Sequence, residues 1–405
     1  MPWKETCAVK ERLKFVLAFE QEEYSLKELC RLFGISRPTA YKWLARYDAA
    51  GIEGLRDRSR APHHHPNATD DGVVARIVAL RRQRPTWGPK KLRAWLVRHE
   101  PDTSWPAAST IGVLVREHGL SHPRSRSRRA VPSSRPLAHC HRANSVWAAD
   151  FKGWFRTGNG RRCEPLTISD GFSRYLLRCN GLERTTLANV EPLFEATFRE
   201  YGLPHAIRTD NGPPFAAPSL TGLSRLSVWW IKLGITPERI RPGHPEENGR
   251  HERLHLTLKQ ETATPPAHDL RSQQRRFNHF RHVYNQERPH EALNQTTPAE
   301  HYQPSARAYP RRVPSIEYDT TEEVCRVYDQ GCFYWRGRLL FLSETLQNEY
   351  IALQPTHHER YYAIRFAWMT IAYIDLRTMK LKAKMPKRTH QVDKQSAESV
   401  NHVTG

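Results

Sequence analysis

Apolar positions recur at helical spacing through the amino-terminal part of the chain. In a first helix, predicted within residues 5–24, they are Leu13, Val16, Leu17 and Phe19. Ser25 and Glu28 have the spacing of a capping box and predict the start of a second helix. Gly34 follows as a turn residue, and Ser36 can cap a third helix. Three short helices in this order predict a helix-turn-helix module over residues 1–60.

The third of these helices combines small and buried anchor positions with a polar face. Ala40 and Trp43 occupy its predicted inner side. The side chains aimed outward, toward base edges and phosphates of a DNA major groove, are Arg37, Thr39, Tyr41 and Lys42. An ordinary helical hairpin with a basic face is the alternative interpretation.

A second group of helices is predicted over residues 68–122. Its helices fall near residues 71–83, 89–99 and 106–118. Ser109 and Thr110, near the start of the last one, resemble the reading positions of a second helix-turn-helix module. Between the two groups, His63–His65 either binds a soft metal or belongs to a proline-flanked linker. Residues 123–140 form a basic linker too polar to bury a core.

The pattern changes from helical spacing to alternation at residue 145. Strands are predicted at residues 145–155, 162–169, 173–180, 206–209 and 235–240. Helices are predicted at residues 185–201, 219–233, 247–262 and 270–284. Three strands followed by alternating helices and strands predict an α/β domain with a mixed five-stranded sheet over residues 141–303.

The carboxy-terminal part alternates again. Residues 317–378 are rich in Val, Ile, Tyr, Phe and Trp and predict a small β-barrel domain at 315–378. Whether that domain binds DNA or a sister subunit stays open. Residues 379–405 are polar and are predicted to be a disordered tail.

The composition indicates which partner this multidomain protein binds. The 405 residues carry a formal net charge of +21, which favours a polyanion such as double-stranded DNA. The seven cysteines are scattered and odd in number, so neither a disulfide framework nor a zinc finger is expected. No stretch is apolar enough for a membrane span or a signal peptide. We expect a cytoplasmic protein that is not exported.

Three acidic residues stand out in so basic a chain. Asp150 lies in the first predicted strand of the α/β domain, and Asp210 ends the fourth, its predicted neighbour. A third carboxylate must come from a helix beside them. Carboxylates brought together would repel one another unless cations lay between them. The cluster therefore predicts two Mg²⁺ ions, for which Mn²⁺ could substitute, arranged for phosphoryl transfer.

Five stretches in this order resemble the DDE transposases of bacterial insertion sequences, whose core is similar to retroviral integrases. They are Val146–Gly153, Ile168–Tyr175, Arg208–Phe215, Arg241–Arg253 and Tyr284–Leu293. The resemblance covers about residues 144–302. It implies a ribonuclease-H-like fold, metal-dependent DNA cleavage and joining, and Asp150, Asp210 and one glutamate as catalytic and metal-binding residues.

The choice of glutamate depends on which family feature is followed. Spacing in the retroviral relatives favours Glu246, whereas an Asn-Gly pair three residues before the acid, here Asn248-Gly249, favours Glu252. We choose Glu252, because a surface loop accommodates the longer spacing at little cost. Glu246 and Glu247 are then charges at a helix start.

Three further residues border this predicted site. Lys259 shares a helix face with Glu252 and His255, so it either contacts a DNA phosphate or is simply solvated. Asp170 is better interpreted as a turn cap than as a catalytic acid. Asn211 either orients Asp210 as a neighbouring polar residue or serves its turn.

These observations predict a transposase that binds the terminal inverted repeats of a mobile element and then cuts and joins DNA. Holding two ends requires a homodimer or a larger assembly on element ends and target DNA. A silent DNA-binding regulator and a nuclease of the same fold that does not join strands are the alternatives.

Overall fold

The computed structural model describes residues 7–59, 68–121, 140–241 and 249–385. The chain divides into two compact units, residues 1–69 and 70–405. His63–His65 and residues 123–139 of the basic linker lie outside the described residues. In the described part of the chain, no helix is long and apolar enough to cross a membrane.

The described residues of the first unit form three helices. They are α1 (Ala8–Glu20), α2 (Leu26–Leu32) and α3 (Arg37–Gly54). The predicted capping box is confirmed, because Ser25 and Glu28 bond each other's backbone N–H. Gly34 adopts a φ of +62° in the turn before α3, a conformation that glycine reaches without steric cost. Its buried core is formed by Phe15, Val16, Leu29, Cys30, Ala40, Trp43 and Leu55.

The second unit begins with another three helices. They are α4 (Asp71–Gln83), α5 (Pro89–His99) and α6 (Ala108–Glu117). The Asp70 carboxylate accepts hydrogen bonds from the first-turn N–H groups of Gly72 and Val73 and thereby caps α4. Pro89 opens α5, where its missing N–H costs nothing. Trp87 and Trp105 lie in the apolar core that the three helices share.

A mixed sheet follows. Its strands are β1 (Val146–Phe151), β2 (Phe155–Arg156), β3 (Arg162–Asp170), β4 (Leu176–Leu182), β5 (Ala206–Thr209) and β6 (Thr236–Arg239). The order is β4-β3-β1-β5-β6, with the two-residue β2 paired to the beginning of β3. β3 is antiparallel to β1 and β4, and β5 is parallel to β1 and β6. The predicted mixed sheet is therefore present, with β2 as an additional short strand.

Helices of the same domain pack against this sheet and against one another. They are α7 (Leu187–Tyr201), α8 (Arg225–Lys232), α9 (Gly249–Thr262) and α10 (Leu270–His282), the last continued by a π-helical turn, Val283–Glu287. Trp147, Phe194 and Trp230 are fully buried in the main core. Leu254 and Leu258 of α9 pack with Phe277 of α10 in a second apolar cluster.

The carboxy-terminal domain is an open sheet, so the prediction of a closed barrel is wrong. Its strands are β7 (Glu323–Arg326), β8 (Cys332–Trp335), β9 (Arg338–Phe341), β10 (Tyr350–Pro355), β11 (Tyr361–Phe366), β12 (Met369–Asp375) and β13 (Lys380–Lys382). Five of them pair in the order β13-β12-β11-β10-β7, and β8 and β9 form a separate hairpin. Val228 and Ile231 of α8 belong to the same buried cluster as this sheet. Phe333, Trp335 and Leu340 of the β8–β9 hairpin lie in that cluster as well, so the sheet buries its apolar residues without closing on itself. β13 also lies within the predicted disordered tail, whose residues 386–405 are outside the described part.

Candidate active site

Asp150 and Asp210 lie at one edge of the mixed sheet, on neighbouring parallel strands. Val146 pairs with Ala206, and Ala148 pairs with Arg208. The same register, continued by two residues, would bring Asp150 level with Asp210, which directly follows β5. Parallel pairing of these strands thus directs two aspartates sixty positions apart in the chain toward the same end of the sheet.

Both carboxylates are partly withdrawn from solvent. The Asp150 side chain is 15% exposed. Burial raises the pKa of Asp210, and a hydrogen bond from the Gly212 N–H to Oδ1 at 3.3 Å acts in the opposite direction. Burial disfavours the charged form of a carboxylate, so a cation placed here would stabilise it.

Helix α9 packs against β3 and β4 and carries Glu252. Leu254 and Leu258 are buried, and His255 lies with Nδ1 4.0 Å from Oδ2 of Asp150. Glu252 itself is on the exposed side of the helix. Within the described residues, no three His, Cys, Asp or Glu side chains are grouped closely enough to hold a metal ion. The alternatives Glu246 and Glu247 lie outside the described residues.

A threonine of β3 links His255 to Asp150. Thr167 Oγ1 donates to the backbone carbonyl of Asp150 at 3.2 Å and lies 2.8 Å from Nε2 of His255. Burial first, and then the positive charges of nearby groups, lower the pKa of His255 to about 3, so the imidazole is neutral at pH 7. Thr167 was not among the predicted residues. Its signal in the sequence is a polar residue between Leu166 and Ile168, in the middle of a buried strand.

Lys152 and Lys259 lie close to the end of the sheet that carries Asp150. Burial lowers the pKa of Lys152, and the charge of Lys259 lowers it further. The ammonium groups are therefore near enough to repel each other, and Lys259 is exposed. Such a pair is suited to a phosphate backbone, which would relieve the repulsion. Lys152 is the second residue that the sequence analysis missed, although it follows Asp150 by only two positions.

Asp170 and Asn211 have structural partners. Asp170 is 1% exposed and accepts hydrogen bonds from the N–H groups of Asn144 and Ser173, both at 2.7 Å. This agrees with the turn-cap interpretation. The Asn211 amide donates to the carbonyl of Ile240 at 3.0 Å and ties the turn after β5 to the end of β6. Its observed contact therefore serves the turn.

The predicted DNA-reading side chains are mostly on the surface. Arg37, Tyr41 and Lys42 of α3 are exposed, as are Ser109 and Thr110 at the start of α6. Thr39 is half-buried, and its hydroxyl lies 2.9 Å from that of Ser36, within the helix cap. Lys42 also extends over the Trp43 ring, 4.8 Å from its centroid.

Comparison with known families matches both parts of this architecture. A helix-turn-helix domain matches residues 11–63, and a homeodomain-like domain matches residues 39–115. An integrase core domain matches residues 140–245, and a second integrase core model matches residues 233–298. These matches span the strands that carry Asp150 and Asp210 and the helix that carries Glu252.

Related proteins come from bacterial insertion elements. An uncharacterized 31.7 kDa protein of insertion element IS407 from Burkholderia multivorans is 28% identical over 69% of this chain and 91% of its own length. The transposase InsD of insertion element IS2 from Escherichia coli is 28% identical over 67% of this chain and 88% of its own length. Among solved structures, the HTLV-2 integrase catalytic core domain is 17% identical and overlaps 40% of this chain and 99% of its own, with a TM-score of 0.33.

Helix-turn-helix domains joined to an integrase core define the class of protein: a DNA transposase acting as a polynucleotidyl transferase. The chain is similar to the DDE transposases of bacterial insertion sequences.

Proposed function

We propose that this transposase binds the terminal inverted repeats of its element and uses Asp150, Asp210 and Glu252 for strand cleavage and strand transfer. The observation that supports this proposal is the parallel pairing of β1 with β5, in a register that would set the two aspartates side by side if continued by two residues. Glu252 is on the helix whose His255 lies 4.0 Å from the Asp150 carboxylate.

The donor atoms suit a hard divalent cation. Asp150, Asp210 and Glu252 offer carboxylate oxygens, the ligands that Mg²⁺ and Mn²⁺ prefer. Burial of Asp210 favours a partner that offsets its charge. When bound, two Mg²⁺ ions would stabilise charge on the attacking and leaving oxygens of the phosphate. We propose that the exposed Glu252 carboxylate would complete the ligand set with the two aspartates.

The surrounding side chains hold this arrangement in place. Thr167 and the neutral His255 fix the strand and helix on either side of Asp150. Lys152 and Lys259 would bind DNA phosphate beside the cleaved bond. Arg37, Tyr41 and Lys42, with Ser109 and Thr110, would contact DNA of the element end.

The chemistry is two successive substitutions at phosphorus. Water attacks the phosphodiester at the element end, the P–O3′ bond breaks, and a free 3′-OH and a 5′-phosphate result. That 3′-OH then attacks a phosphodiester of target DNA, forming one P–O bond as another breaks and a target 3′-OH leaves. Bond types are conserved in the second step, so no energy source is needed. No step requires a covalent bond between protein and DNA.

Two ends must be joined to one target, so we propose a homodimer or larger assembly on double-stranded DNA. We further propose that it works in the bacterial cytoplasm at the nucleoid. The charge of +21 supports this setting.

A strand-joining assay tests the proposal. The full chain, its Asp210→Asn variant and the exposed control Asp102→Asn are mixed with DNA bearing the inverted repeats, in Mg²⁺ or in EDTA. Joined products that need the metal, disappear with Asp210→Asn and persist with the control are expected. Nicks without joining would favour a nuclease, and salt-sensitive binding without cleavage would favour a regulator.

A further inference from the structure

The α4–α6 helices dock on the integrase core through contacts of complementary charge. In each of three ion pairs, the basic residue comes from α4–α5 or the turn between them and the acidic residue from the segment that follows α10. The pairs are Arg84–Glu287 at 2.5 Å, Lys90–Glu291 at 3.0 Å and Arg98–Glu300 at 2.6 Å. The hydrogen bond from Arg98 lowers the pKa of Glu300 to about 2. We call this set, together with Lys91 and its partner Pro289, the docking contact.

Burial distinguishes the docking contact from a chance surface encounter. Val283 of the π-helical turn is buried in the same apolar cluster as Trp87 and Leu92 of the helices. Lys91 donates to the carbonyl of Pro289, and burial lowers the pKa of Lys91 to about 8. Arg84 and Glu287 are about one-quarter exposed. A lysine is withdrawn from water in this way only where the surfaces around it are packed.

The docking contact reaches the elements that carry the proposed catalytic residues. Glu261 accepts hydrogen bonds from Thr86 at 2.5 Å and from Arg288 at 2.6 Å. Glu261 is on α9, nine residues after Glu252, which corresponds to about 14 Å along the helix axis. The turn itself is bound to the sheet, since the Asn285 side chain accepts from the N–H of Leu176 at 2.8 Å and donates to its carbonyl at 3.0 Å.

The first turn of α6, which carries the predicted DNA-reading residues, takes no part in the docking contact. Ser109 and Thr110 are exposed at the first turn of α6, whereas the docking contact uses α4, α5 and the turn between them. A DNA duplex could therefore meet α6 while α4–α6 stays bound to the core.

We propose that the docking contact fixes the distance between the DNA segment bound by α6 and the phosphodiester that is cut. This inference rests on the proposed function. Arg84, Lys91 and Glu287 are then positioning residues: they keep the cut at one bond of the element end and do not touch the reacting atoms. Small displacements matter here, because a misplacement of about 1 Å can lower a rate by about 100-fold.

Charge exchange tests the docking contact. The full chain is compared with Arg84→Glu, Glu287→Arg and the double exchange, with Arg76→Ala as a control that breaks an ion pair to Glu100 inside the α4–α6 group. Cleavage of labelled element-end DNA is mapped to the nucleotide, and binding is measured by gel shift. Hydrogen exchange of α5 and residues 283–293 reports docking without any need for activity.

The expected result is that each single exchange spreads cleavage over neighbouring bonds and slows cutting at the original bond by about 10- to 100-fold. End-DNA affinity should stay within about twofold, and the double exchange should restore one cut site and the original exchange protection. Single variants that cut at the original bond at the original rate, despite faster hydrogen exchange, would overturn the inference. So would loss of DNA binding in parallel with cleavage. If the unmodified protein does not cleave, the proposed function fails, while hydrogen exchange still decides whether the contact exists.

Discussion

Replacement of Asp170 distinguishes a structural carboxylate from a catalytic one. Oδ1 accepts from the Asn144 N–H at 2.7 Å, and Oδ2 accepts from the N–H and hydroxyl of Ser173 at 2.7 and 2.6 Å. Asn144 in turn accepts from the Trp147 indole at 2.9 Å, so the carboxylate organises the start of β1 as well as the turn after β3. Asp170→Ala removes three hydrogen bonds at once.

The loss of folding stability can be estimated from these hydrogen bonds. Two buried N–H donors remain without their acceptor, and each unsatisfied donor costs about 1–3 kcal/mol. The Ser173 hydroxyl adds a smaller term, because it can rotate. Burial raises the pKa of Asp170, which shows that its charge is poorly solvated; removing that charge offsets part of the loss. We expect the free energy of unfolding to fall by about 2–4 kcal/mol, a large part of the usual stability of a domain.

Urea unfolding, followed by circular dichroism and tryptophan fluorescence, measures this loss as a lower midpoint at unchanged slope. Strand cleavage per folded molecule should be unaffected, in contrast to Asp210→Asn. Asp102→Ala, at an exposed position, controls for the loss of one negative charge. A variant with the original midpoint and no cleavage would refute the reasoning and make Asp170 a catalytic candidate.

Three other changes have equally definite outcomes. Arg37→Ala should weaken binding to element-end DNA and reduce the dependence of log affinity on log salt by about one, measured by gel shift; an unchanged slope would exclude Arg37 from the interface. Burial lowers the pKa of His290 from 6.5 to about 3, so protonation of the unfolded chain removes stability as the pH falls below 6.5 toward 3. Between pH 7 and pH 5 the unfolding free energy of His290→Gln should therefore fall by about 2 kcal/mol less than that of the unmodified protein, and identical pH dependence would contradict this. His255→Ala should slow metal-dependent cleavage by about 10- to 100-fold through loss of support for Asp150, and unchanged cleavage rates at limiting Mg²⁺ would contradict that role.

Signals within a few residues were sufficient to predict the bounds of elements that begin and end at a local cap, glycine or proline. Residues 71–83 and 89–99 were predicted as helices with the bounds of α4 and α5, and 206–209 with those of β5. Caps, glycine and proline act within a few residues, so the sequence states them directly. The neighbouring positions of β1 and β5 also followed from the sequence, because few topologies connect strands and helices in this order.

Tertiary structure decided what depends on surfaces that meet from distant parts of the chain. β4 begins at Leu176 and not at Ser173, because the Asp170 carboxylate holds Ser173 in the turn. The carboxy-terminal strands form an open sheet whose apolar residues are buried together with the β8–β9 hairpin and with Val228 and Ile231 of α8. The position of Glu252 on the exposed side of α9 and the docking of α5 on Pro289 belong to the same category. Periodicity in a sequence reports which face of an element is apolar; only the folded chain determines which partner covers that face, because the contacting residues are far apart in the sequence.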